Sequence, residues 1–145
     1  MRRTVTALVI SALALVAVLA ANAAGTKTAT FEVALKGKNE APAAPASNKG
    51  KVELKLNTAT GKVCWEFTLA KIDGKPNQAH IHKGKAGVSG NVVVPLGANY
   101  KRQGCTKAAP SLVKSIAAHP GAYYVNVHNV KHPAGAMRGQ LARGA

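Results

Sequence analysis

The chain has 145 residues, with 20 Lys and Arg against only 5 Asp and Glu, a formal net charge of +15. Such a length fits one domain, two at most, and such a charge favours anionic partners. Aromatic residues make up 4%, and no recognition motif accompanies the charge, so nucleic acid is not an expected partner.

The chain opens with Arg2 and Arg3, continues through the apolar "TVTALVISALALVAVLA", and reaches small residues at Ala21–Ala23. This is the three-part pattern of a secretory signal, expected over 1–23. The apolar run is short for a stable membrane span, so the expected mature form, 24–145, has none. An uncleaved amino-terminal anchor is the alternative.

The mature part reads as mostly β. "ATFEVAL" (29–35), "KVELKL" (51–56) and "KVCWEFTLAKI" (62–72) alternate apolar and polar residues. That period marks strands with one buried face. "NTATG" (57–61) joins the second and third runs as a hairpin turn. "APAAPASNKG" (41–50) is a loop, because proline cannot sit inside a sheet. A strand is expected through "QAHIH", then a glycine loop, then the β-branched "NVVVPL" (91–96). "GANYKRQGCTKA" (97–108) reads as loop. "PSLVKSIAAHPG" (110–121) sets Leu112, Val113 and Ile116 at helical spacing, with Pro110 as a start and Pro120–Gly121 as a stop. His119 falls at the end of this short helix, where a cationic ring meets the negative pole. "AYYVNVH" (122–128) and "AMRGQLA" (136–142) are the last strands. Short strands with loops between them point to an antiparallel sandwich or barrel.

Cys64 and Cys105 are the only cysteines. In an exported chain their default is a disulfide, closing a loop of about 40 residues and worth roughly 4 kcal/mol. Free thiols or a cysteine metal site are the competing readings. The lysines are scattered, often alternating along strands as in "KVELKL". They form either a plain solvated face or a surface that attaches to anionic cell-envelope or extracellular polymers.

In a strand, His80 and His82 project from the same face while Ile81 points away. Two imidazoles so placed can ligate one ion, and His128 or His132 can complete the set. Neutral imidazole suits copper and zinc, copper first. A cluster of imidazoles hydrogen-bonded to loop backbone is the other reading. Arg138, in "PAGAMRGQL", is either an ordinary salt-bridging arginine or an anion-guiding group beside the histidines. No serine-hydrolase elbow, phosphate loop or dinucleotide fingerprint is present, and no catalytic residue is assigned.

"FEVALKGKNEAP", "GKVCWEFTL", "AHIHKGKAGVSGNVVVPL", "YYVNVH" and "HPAGAMRGQL" resemble the chordin-type (CHRD) domain over about residues 29–142. That resemblance implies a β-sandwich-type domain outside the cytoplasm, periplasmic or extracellular. The chain is also similar, more weakly, to Cu/Zn superoxide dismutase. There His80 and His82 match the H-x-H copper ligands, His128 the later copper ligand, and Arg138 the arginine that guides superoxide. The histidine bridging two metals and the remaining zinc ligands have no counterpart, so a two-metal enzyme is not implied.

The expected fold is an all-β, antiparallel Greek-key sandwich or barrel, Cu/Zn superoxide dismutase-like or immunoglobulin-like, with one short helix. The expected function is a monomeric, exported, non-enzymatic binding or structural module holding one copper or zinc ion. A copper carrier and a copper-only dismutase-like enzyme are the alternatives.

Overall fold

The computed structural model describes residues 27–143. The signal segment expected over 1–23 lies outside them. Eight strands follow in chain order: β1 (Thr28–Lys36), β2 (Lys49–Asn57), β3 (Lys62–Lys71), β4 (Pro76–Lys83), β5 (Asn91–Pro95), β6 (Gln103–Lys107), β7 (Tyr123–Asn129) and β8 (Met137–Gln140). One α-helix among the described residues, α1 (Pro110–Ala118), precedes β7.

The strands form one antiparallel sheet in the order β5-β4-β7-β8-β1-β2-β3-β6. The stretch 96–102 nearly closes it into a barrel. On one side Leu96 N donates to Ala79 O and Tyr100 N to Asn77 O; on the other Phe67 N donates to Arg102 O. β3 lies beside β6, and β4 beside β7, although other strands intervene in sequence. That is Greek-key connectivity.

Period-two alternation fills the barrel. Phe31, Val33 and Leu35 of β1, Val52, Leu54 and Leu56 of β2, and Val63, Trp65 and Phe67 of β3 are all buried. Each such side chain contributes about 1.5–3 kcal/mol by leaving water. The turn at 57–61 holds because Asn57 Oδ1 accepts from the backbone N–H of Ala59 and Thr60. Val113 and Ile116 bury the inner face of α1, which starts at Pro110 as expected. His119 stands at the C-cap, where its backbone N–H donates to Ser115 O, while the side chain that reaches the last turn is Arg143, whose guanidinium donates to Ala118 O at 2.7 Å.

One expectation fails. The stretch read as loop over 97–108 contains β6, which pairs with β3. Its inward residues are Gly104 and Thr106 rather than large apolar ones, so the alternation that marks a strand is missing. Trp65 fills the space instead; a Cβ at Gly104 would strike its ring. The same pairing sets Cys64 directly opposite Cys105, and the two form a disulfide.

β7 departs from the half-buried pattern: all seven of its residues are buried. Val125 and Val127 face the core. Tyr124 and Asn126 face outward but meet two roofing loops, 84–90 and 37–48, through Gly90 and Glu40, and His128, on the same face, meets Pro133 O. Asn48 Nδ2 donates to Ala136 O across this roof, and Ser89 Oγ donates to Ala41 O between the two loops. A covered polar layer on the outside of the barrel is the result.

Candidate metal centre

His80 and His82 stand on the outer face of β4, because Ala79 and Ile81 occupy the core. β7 runs antiparallel beside it, with Gln78 opposite His128, His80 opposite Asn126 and His82 opposite Tyr124. The third imidazole therefore comes from the adjacent strand, diagonally across. Ring centroids are 5.6 Å apart for His80 and His82, 5.0 Å for His80 and His128, and 5.8 Å for His82 and His128. One ring nitrogen from each lies within 4.8 Å of the others. An ion bound by three nitrogens at ~2.1 Å holds them about 3.6 Å apart. Small ring rotations close that gap.

The second layer fixes which nitrogens are free. His82 Nδ1 lies 2.9 Å from Gly90 O, and His128 Nδ1 lies 3.0 Å from Pro133 O. A carbonyl oxygen only accepts, so both Nδ1 atoms carry the proton and both Nε2 atoms of the neutral rings are bare. His128 Nε2 accepts from His80 Nδ1 at 3.2 Å. A tautomer shift of His80 would make that nitrogen a third lone pair. His82 Nε2 is buried and has no hydrogen-bond partner among the described residues.

Glycines make these contacts possible. A Cβ at Gly90 would strike the Lys83 carbonyl, so only glycine brings that backbone close enough for its oxygen to meet His82. Gly135, at φ +147°, leaves room for the Glu40 carboxylate.

Burial decides the charge state. It pushes His80 down to about 4, helped by the neighbouring His128 and His82. His82 and His128 are also lowered, burial again the largest cause and the Gly90 and Pro133 carbonyls opposing it. All three rings are neutral at pH 7, the form a metal requires.

The remaining expected residues are placed differently. His132 turns away from the trio toward Asp73, with Nε2 3.4 Å from Oδ2. Arg138 is 3% exposed; its Nε donates to Glu40 Oε2 at 2.7 Å and its Nη1 to Val88 O at 3.0 Å. Its guanidinium also lies 4.4 Å from the Tyr124 ring centroid. Its charge is paired with Glu40, both side chains being buried. Burial raises the Glu40 carboxyl above its ordinary value, against the pull of Arg138.

Three contributors carried no assigned role in the sequence. Tyr124 stacks on His82 at 4.8 Å, with 9° between the planes. Asn126 Nδ2 donates to Glu40 Oε2 at 3.3 Å, beneath the rings. Glu40 reaches the site from the loop after β1. The alternation of "YVNVH" already put Tyr124 and Asn126 on the face of His128. Nothing in the sequence marked Glu40.

The CHRD domain family matches residues 31–141. The chain belongs to the CHRD family. No curated protein and no solved structure matches it. The family match covers all three clustered histidines, both cysteines and Arg138 of this CHRD domain. Membership supports a binding or structural module. Among the described residues no helix is long and apolar enough to cross a membrane.

Proposed function

We propose that this CHRD domain is an exported, non-enzymatic module that binds one transition-metal ion, copper before zinc, through His80, His82 and His128. The observation that carries the reading is His82 Nε2. A buried polar atom left without a partner costs about 1–3 kcal/mol, and a lone pair in that position is satisfied by a cation or a donor. Two further imidazoles with their own nitrogens nearby make the cation the better match. Three neutral nitrogens suit copper and zinc, and the general affinity order places copper above zinc. The Cys64–Cys105 disulfide and family membership support a location outside the cytoplasm. The dismutase-like alternative gains no support from Arg138, whose charge is committed to Glu40.

Calorimetric titration with Cu(II) and Zn(II) tests the reading. The expected outcome is one ion per chain with Kd below about 10 μM, copper tighter, and at least about tenfold weaker uptake in His80→Ala and His82→Ala. Uptake no tighter than about 10 μM, or unchanged in the variants, refutes it.

A further inference from the structure

On the outside of the β1-β2-β3 sheet the charges fall into rows. Glu32, Glu53 and Glu66 are aligned across the three strands, each directly opposite the next. Lys36, Lys49 and Lys71 also stand opposite one another near one end of the barrel, Lys71 meeting Lys49 across a register shift between β2 and β3. Like charges directly opposed in a sheet repel. The acidic row is relieved: Lys51 pairs with Glu32 at 3.6 Å, Lys55 with Glu53 at 2.9 Å, and Arg102 with Glu66 at 2.9 Å. The two other carboxylates are engaged with Lys131 and Arg138. All five acidic side chains are thereby spent elsewhere, and among the described residues the lysine row has no counter-charge. Lys38, just beyond β1, extends it. All four lysines are exposed.

The row borders a concavity. Lys36, Lys38 and Lys49 line a cavity of about 470 Å³ whose remaining wall is Ala34, Leu35, Ala46 and Gly50. That volume is in the range of ligand sites. No aromatic ring lines it for base stacking. Every cation is a lysine rather than an arginine, so the site offers point charges and no bidentate phosphate fork. The strands that carry these lysines lie about 4.8 Å apart, a spacing close to one sugar unit.

We infer that this lysine-lined cleft is a binding site for an acidic polysaccharide, a chain of uronate-type sugars whose carboxylates supply the missing counter-charge. The site is separate from the histidine trio and does not depend on metal.

Retention on immobilised polygalacturonate, with affinity measured by calorimetry at low salt, tests this. The wild type binds and elutes by about 0.5 M salt, where screening is strong. The triple variant Lys36→Gln, Lys49→Gln, Lys71→Gln weakens binding about tenfold or more. A control with the same charge loss, Lys83→Gln, Lys85→Gln, Lys114→Gln, stays within about threefold of wild type. The row variant also melts no lower than wild type, because opposed like charges have been removed. No binding to polygalacturonate, equal weakening in both variants, or tighter binding to polyphosphate or DNA overturns the inference.

Discussion

His80, His82 and His128 owe their neutrality to burial, and that gives the fold a pH dependence. The folded pKa of each lies below the ordinary value of 6.5. The unfolded chain therefore binds protons first as pH falls. The metal-free domain keeps this stability above pH 6.5 and loses it progressively down toward about 4, where His80 titrates. Glu40 works in the opposite sense: its raised pKa favours the folded state at acid pH and loses that contribution as pH rises through it. Three rings against one carboxyl predict a net loss. Urea midpoints of the metal-free protein at pH 7 and pH 4.5 check this, with His80→Gln expected to show a smaller drop. A wild-type midpoint that rises toward pH 4.5 contradicts it. Arg138 gives a second residue-scale prediction. Arg138→Ala strands Glu40 in the covered layer, which costs roughly 3–5 kcal/mol. A loss under about 1 kcal/mol by the same unfolding assay would mean the pair is not buried in solution.

β3 and β6 show what one strand pairing decides. It places Cys64 opposite Cys105 and closes a loop of sequence separation 41. Replacing both cysteines with serine is expected to cost roughly 4 kcal/mol in the chain-entropy model, measured by urea unfolding. The untreated protein shows no free thiol; a titratable thiol would contradict the bridge. β6 also marks the limit of what alternation reveals. β1, β2 and β3 were legible because large apolar residues recur at every second position. β6 was not, because its inner face is Gly104 and Thr106 and the bulk comes from Trp65 on its neighbour. The H-x-H pair on β4 was legible from strand geometry alone. Its partner His128 followed because β7 pairs antiparallel with β4, a register that local sequence leaves open.

At the level of the whole molecule, the barrel supplies a rigid wall and the loops supply the cover. The Greek-key order brings β4 and β7 together although 39 residues separate Lys83 from Tyr123 along the chain. Apolar alternation showed the all-β class and resemblance pointed to the Greek key. Neither indicated that loops 37–48 and 84–90 would seal the outer face of β7. That covering lowers the histidine pKa values, commits Arg138 to Glu40 and orphans His82 Nε2. Such effects depend on contacts far apart in sequence: Glu40 and Arg138 are 98 positions apart. The opposed lysine row also became visible only through strand register, since a single strand shows its lysines merely as alternating charges.

Electron paramagnetic resonance of the protein loaded with one equivalent of Cu(II) addresses the trio most directly. Hyperfine structure from three imidazole nitrogens is predicted, falling to two in the His82→Ala variant. A wild-type spectrum with fewer than three imidazole nitrogens, or one unaltered by that substitution, would contradict a shared centre for positions 80, 82 and 128.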